Sequence, residues 1–454
     1  MWDKYKINYT KTLTLSIPVI IAQLGQITVG LVDNIMIGQL GRTELASASF
    51  TNTLFSIIIF LGMGFSFALT PLVGKEFGSK NIKQINSWFK NGLITNSLMG
   101  LFLVATLTVI TFLMPYMGQP QSVIEPSINY MITLLLSIFP MMIFFNFKQF
   151  AEGIGNTKIA MNIMLISNVV NIIGNYIFMF GKLGAPEMGL TGAGVGTLIS
   201  RIVMAGAFIV VFYRHSLFAP FKKALSTELI SIAKIKEITK LGIPMGGQMI
   251  MEAFAFGFCA IMMGWASELG MAAHQIAINL TTIGFMIYQG LGSGTMIRVS
   301  HYRGEHSLKG IKEATKSGLH IMLAYSVISM SLFIGARNIL PQIFTADVEV
   351  INLAAQMLVV CAFFQLFDGI QIIIAGSLRG LADANIPSFF TFVSYFLVAI
   401  PFSYASAFIW GYGEIGIWFG FPVGLFVAAT LYYCRYFYLT RRKENLVLAT
   451  VEIK

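Results

Sequence analysis

Charge is scarce in this sequence: Asp, Glu, Lys and Arg make up 11% of its 454 residues, against roughly 25% in soluble proteins. Cysteine is scarcer. Cys259, Cys361 and Cys434 stand in separate apolar stretches with no CxxC pair, which argues against a disulfide framework or a thiolate metal site. No Gly-x-Ser-x-Gly elbow, HExxH pair or Walker loop occurs. Neither hydrolysis nor ATP-driven pumping therefore has a footing, and no enzyme and no cofactor are expected.

Apolar residues fill the space that charge leaves. They form 56% of the chain, more than a soluble domain of this length could bury. A membrane-crossing helix needs ~20 predominantly apolar residues, and twelve such stretches follow one another. The first runs from Leu13 to Gly38. The others cover approximately 49–73, 92–116, 127–149, 159–181, 190–213, 241–266, 276–299, 315–338, 351–375, 386–411 and 414–438. Only short connections remain. The first stretch is longer than a signal-peptide core and precedes no small-residue cleavage pattern, so it is expected to be retained.

The formal net charge of +10 suggests nucleic acid until the basic residues are placed. Of the 30 Lys and Arg, all but Arg42, Lys182, Arg337 and Arg201 fall at the N-terminus, on the even-numbered connections or the span ends that border them, or at the C-terminus. That is the asymmetry of a protein with both termini in the cytoplasm. The basic residues form no stacking platform, and no nucleic-acid partner is expected. A bacterial inner-membrane location, the lipid bilayer as surroundings and a monomer as the working unit are expected.

The halves resemble each other at an offset of about 227. Ile17-Pro18 matches Ile243-Pro244, Val73–Gly78 matches Val299–Gly304, Glu187-Met188-Gly189 matches Glu414-Ile415-Gly416, and Glu152-Gly153-Ile154 aligns with Arg379-Gly380-Leu381. Six spans return the chain to its starting side, so a duplication at this offset is a parallel repeat. The expected fold is an all-α integral membrane protein, with twelve transmembrane helices in two six-helix lobes. Residues 1–213 form the first lobe, 214–240 a cytoplasmic linker, 241–438 the second lobe and 439–454 a cytoplasmic tail. The linker stretch STELISIAKIKEITK reads either as an amphipathic segment against the bilayer or as a solvated connection.

Against this apolar background three carboxylates stand out, because an acid at bilayer depth is costly and usually faces a cavity, an ion or a cationic ligand. They are Asp33, Glu252 and Asp368. Shifted by the repeat, they fall on Cys259, Gln26 and Met141, so each half has its own acidic equipment. Gln248 and Glu252 lie one turn apart, and Gln365, Asp368 and Gln371 follow i, i+3, i+6, giving a polar stripe suited to a cation or proton. In the first half Asp33 is joined by Asn168, Asn171 and Asn175 at i, i+3, i+7. Such amides can coordinate a hard monovalent cation or serve as interhelical hydrogen-bond glue. Sodium is thus a candidate at Glu252 and Asp368, or at Asp33, Asn171 and Asn175. Arg201, midway along the sixth span, can balance an acid, screen a cavity or snorkel. His274 reads as a hydrogen-bonding residue rather than a ligand.

The segments IPVIIAQLGQITVGLVDNIMIGQLG, GKLGAPEMGLTGAGVGT, AAHQIAIN, QLFDGIQ and GSLRGLAD, in this order, resemble the multidrug and toxic compound extrusion (MATE) family, in its NorM-like branch. The resemblance implies a multidrug efflux antiporter that moves small organic cations or amphipathic drugs outward in exchange for Na+ or H+. It also implies roles for Asp33, Glu252 and Asp368 at the family's acidic positions, and for Asn171, Asn175 and Thr197 in its polar first-lobe cluster. One position departs: Phe364 stands where the branch can carry a tyrosine one turn before the aspartate. A lipid-linked oligosaccharide flippase of the wider superfamily and a channel or receptor are the alternatives. The first would be expected to show a cationic cavity.

Overall fold

In a computed structural model, which describes residues 2–451 apart from 224, 226 and 227, the chain is all-helical, with no strand among the described residues. Twelve long helical runs follow in order. The first half contains α1 (Trp2–Gly38), α2 (Arg42–Gly78, broken near Phe67), α3 (Ile82–Leu113), α4 (Gln121–Gly153), α5 (Lys158–Phe180) and α6 (Gly189–Arg214). The second contains α7 (Ile232–Ala266), α8 (Glu268–Gly304), α9 (Leu308–Gly335), α10 (Val348–Gly380), α11 (Asn385–Ile409) and α12 (Gly413–Val451). Among the described residues, eleven helices are long and apolar enough to cross a membrane. The exception is α8, which has the length, 37 residues, but carries polar turns at both ends. The amphipathic stretch 226–240 falls partly outside the described residues, at 226 and 227, and partly on the first turns of α7.

Apolar side chains cover these helices on the outside as well as within. On α3, Leu101, Phe102, Val109 and Phe112 are all exposed, as expected where the solvent is lipid. Polar side chains on the same helix satisfy themselves locally: Thr106, Thr108 and Thr111 donate to the carbonyls four residues earlier at 2.7–2.9 Å, the usual refuge of a hydroxyl in an apolar helix. Helix starts are capped by side chains. Asn81 accepts from the Gln84 amide on α3, Ser307 from Gly310 on α9, and Asp347 from Glu349 and Val350 on α10, each satisfying an orphan N–H.

The repeat extends to backbone detail. Lys80 (φ 58°) before α3 and His306 (φ 54°) before α9 adopt the left-handed conformation one repeat apart, as do Gly155 (φ 84°) and Ala382 (φ 57°). Side chains rarely adopt this conformation, so its recurrence reflects a shared turn geometry. Packing repeats too: α4 lies against α2, α3 and α6, and α10 against α8, α9 and α12. The last pair of each half is close-packed through glycine. A Cβ at Gly416, Gly420 or Gly424 on α12 would come within 1.9–2.7 Å of α11 atoms, which is how small residues let membrane helices approach.

Contacts gather into two compact units, Ile21–Gly246, and Met1–Ile20 with Gly247–Lys454. Helices α1 and α7 each begin in one unit and continue in the other, changing over at points one repeat apart. The start of α1 is fixed in the second unit by buried Arg298, which donates to the Asn8 carbonyl (2.9 Å), Asn8 Oδ1 (2.6 Å) and Thr12 Oγ1 (2.6 Å). The start of α7 is fixed in the first unit by Lys234, which donates to Gln84 Oε1 (2.6 Å) and lies over the Trp88 ring (4.7 Å).

Candidate functional site

Most of the candidate side chains gather at one place in each unit. In the first, α1 supplies Asp33, α5 supplies Asn171 and Asn175, and α6 supplies Thr197. Asn175 Nδ2 donates to Asp33 Oδ1 at 2.7 Å and more weakly to Asn171 Oδ1 at 3.4 Å, while Asn171 Nδ2 donates to Thr197 Oγ1 at 3.2 Å. These four form one chain of bonds across three helices. Asn175 is fully buried, and its own Oδ1 receives no hydrogen bond. A buried amide oxygen beside a carboxylate offers a donor set suited to a hard monovalent cation. Gly196 makes room for it: a Cβ there would lie 2.1 Å from Asn175 Oδ1.

Asn168 and Arg201 stand outside that chain. Asn168 faces α1, where a Cβ at Gly25 would come 2.9 Å from its Nδ2. Arg201 donates to Ser137 Oγ at 2.5 Å and lies over the Phe55 ring at 5.2 Å. It is held between α2, α4 and α6, with no bond to Asp33 among those contacts.

In the second unit the centre is Glu252, on α7. Gln248 Nε2 (3.3 Å), one turn earlier, and Gln371 Nε2 (3.1 Å), on α10, both donate to its Oε1. The two amides are held in that sense by their other partners. Arg379 Nη2 donates to Gln248 Oε1 at 3.0 Å, and Gln248 Nε2 also donates to Tyr432 Oη at 2.8 Å. A guanidinium can only donate, so Gln248 must turn its carbonyl to Arg379 and its NH2 to Glu252. Tyr395, in a widened π-helical stretch of α11 (Val393–Ala399), donates to Gln371 Oε1 at 3.4 Å and favours the same sense there. Both amide donors therefore land on the same carboxylate oxygen, Oε1.

Asp368 lies on α10, buried, one turn before Gln371. Gln365 is engaged elsewhere, accepting from Ser329 Oγ at 2.5 Å. Phe364 stacks on Trp418 and meets Phe421 at a tilt, with ring centroids 6.0 and 5.7 Å apart, so an aromatic wall occupies the position where a hydroxyl was in question. His274 meets the Trp418 ring at 5.4 Å. Among the described residues no group of three or more His, Cys, Asp or Glu gathers as metal ligands. A cation in either unit would depend on amide, hydroxyl and single carboxylate oxygens.

Sequence reasoning missed Arg379, Tyr395 and Tyr432. Ending the tenth span at residue 375 put Arg379 in a connection, whereas α10 continues to Gly380. A signal was available: Arg379 follows Gln371 by two turns on the polar face. The tyrosines gave no such signal among 16.

Comparison with known proteins bears on the whole chain. The MatE family pattern matches residues 18–177 and, again, 244–405, once in each half. The Multidrug resistance protein NorM of Vibrio cholerae is 30% identical over 458 residues, covering 98% of each chain. The Probable multidrug resistance protein NorM of Mannheimia succiniciproducens is 29% identical, covering 99% of this chain and 98% of its own. Among solved structures, a MATE protein in the bent conformation has TM-score 0.89 at 21% identity, covering 97% of each chain. A eukaryotic MATE transporter has TM-score 0.83 at 19% identity, covering 98% of this chain and 99% of its own. With the repeat in its backbone, the family pattern matched in both halves and full-length likeness to NorM proteins, this chain belongs to the MatE family, in its NorM-like branch.

Proposed function

We propose that the chain is a secondary active multidrug exporter of the bacterial inner membrane, exchanging cationic or amphipathic organic compounds for Na+ or H+ by alternating access. What carries the reading is the arrangement at Glu252: two amide donors fixed on one oxygen of a carboxylate within an apolar helix. Such a carboxylate holds a cation or a proton in preference to a neutral ligand. The names of the NorM relatives support the substrate class.

Asp368 and Glu252 act as the exchange site in this proposal, alternately neutralised by the coupling ion and by the drug. Asp33 with Asn171, Asn175 and Thr197 is a second cation site. The two sets need not bind the same ion. A ligand shifts the balance between inward- and outward-open states only through differential affinity for them, so the carboxylates must meet drug and ion differently in the two states. Both termini lie in the cytoplasm and one copy suffices.

Efflux of a fluorescent lipophilic cation from vesicles, under separately imposed sodium and pH gradients, tests the proposal. Efflux driven by either gradient alone is the expected outcome and names the coupling ion. Retention of the dye under both gradients, with protein inserted, would refute secondary export.

A further inference from the structure

Where α9 begins and α12 nears the end of its apolar stretch, a groove of about 520 Å³ opens between them. One wall carries Lys312 and Lys316 of α9 with Thr315 and Leu319, and the other carries Tyr433, Tyr436, Phe437, Thr440 and Arg441 of α12. A smaller hollow of about 340 Å³ shares the two lysines and adds Lys309. Among the described residues, the adjoining hollows are lined by Lys309, Lys312, Lys316 and Arg441 together with Glu313, which accepts from Asn8 Nδ2 at 3.2 Å.

Charge alone would describe many membrane-protein surfaces. Here it meets an apolar wall. Tyr433 and Phe437 are exposed, 51% and 53%, one turn apart on α12, while Tyr436 and Thr440 are buried at the back. Arg441 lies 6.0 Å from the Phe437 ring. Along α12 the lining therefore passes from aromatic to cationic over about two turns, the sequence of surfaces met on moving from hydrocarbon to headgroup. The volume lies in the range of small-ligand sites, roughly 300–1,000 Å³.

We propose that this groove binds an anionic phospholipid, its phosphate between Lys312, Lys316 and Arg441 and an acyl chain along Tyr433 and Phe437. The chemistry selects a lipid over free phosphate, because a phosphate alone leaves the aromatic wall without a partner. Clusters of Lys and Arg beside membrane helices attract anionic headgroups in the same way. The groove lies outside both polar clusters described above, and a lipid seated there would brace α9 against α12.

Cys434 provides the probe, being exposed beside Tyr433 while Cys259 and Cys361 are buried. The full-length protein, labelled at Cys434 with a fluorophore and reconstituted with brominated lipids, would report lipid occupancy by quenching. Brominated phosphatidylglycerol should reach half-maximal quenching at a mole fraction about fivefold lower than brominated phosphatidylcholine. The combined variant Lys312→Gln, Lys316→Gln, Arg441→Gln should lose that preference, and Arg42→Gln should keep it. Millimolar inorganic phosphate should leave the wild-type preference in place. Equal quenching by the two lipids in the wild type would overturn the proposal whatever the variants do. So would a triple variant with the preference intact, or displacement of the lipid by free phosphate.

Discussion

At Glu252 the chemistry is decided by the residues that do not carry its charge. Gln248 and Gln371 deliver their N–H groups to the same carboxylate oxygen, and Arg379 fixes the sense of Gln248. Arg379→Gln removes the obligatory donor, so Gln248 can flip and set its carbonyl against the carboxylate. Apparent affinity for the coupling ion should then change by about tenfold, as for other residues that orient a ligating group, with Arg379→Lys recovering part of it. Ion titration of substrate binding measures both. An unchanged titration in the Gln variant would deny Arg379 this role. Asp368→Asn keeps size and removes charge: the protein should insert normally while gradient-driven efflux collapses, and full dye resistance in that variant would sink the assignment. The acids were legible in the sequence because charge in an apolar run stands out at once. Arg379 was not, because one extra turn of α10 decides whether it belongs to a helix or a connection.

Among the helices, α5 and α6 show how backbone geometry serves the first polar cluster. Gly196 lets α6 approach until a Cβ would stand 2.7 Å from the Asn175 amide nitrogen and 2.1 Å from its Oδ1. Gly196→Ala should lower stability by ~1–3 kcal/mol through overpacking and displace Asn175 from Asp33. Thermal unfolding in detergent checks the first effect, and loss of any ion-dependent shift in that transition checks the second. A variant as stable and ion-responsive as the wild type would contradict the packing described. Existence of the helices was readable from apolar run length alone, including α8 despite its polar ends. The π-helical turns of α11 were not readable. The widened stretch that carries Tyr395 runs up to Ile400-Pro401 and packs against Gly424 of α12, and a proline marks a disturbed helix without saying that it widens.

Over the whole molecule the duplication is the strongest regularity, and it is legible in short sequence matches such as Ile17-Pro18 with Ile243-Pro244. The changeover of α1 and α7 between compact units was hidden, because contacts such as Arg298 with Asn8 join residues 290 apart in sequence. Orientation has its own test. In a cysteine-free background, single cysteines placed at Gln119 and Gly413 should react with an impermeant reagent from outside intact cells. Reaction only after permeabilisation would reverse the topology expected from the basic residues. The central claim is that coupling ion and cationic substrate compete for the Glu252 and Asp368 carboxylates, and linkage makes such competition reciprocal. The most direct measurement is equilibrium binding of a lipophilic cation to the purified protein, across sodium concentration at fixed pH and then across pH without sodium. Affinity should fall along at least one axis, and Glu252→Gln should shrink that fall while sparing an uncharged ligand. Affinity that is flat along both axes in the wild type would contradict the shared-carboxylate account.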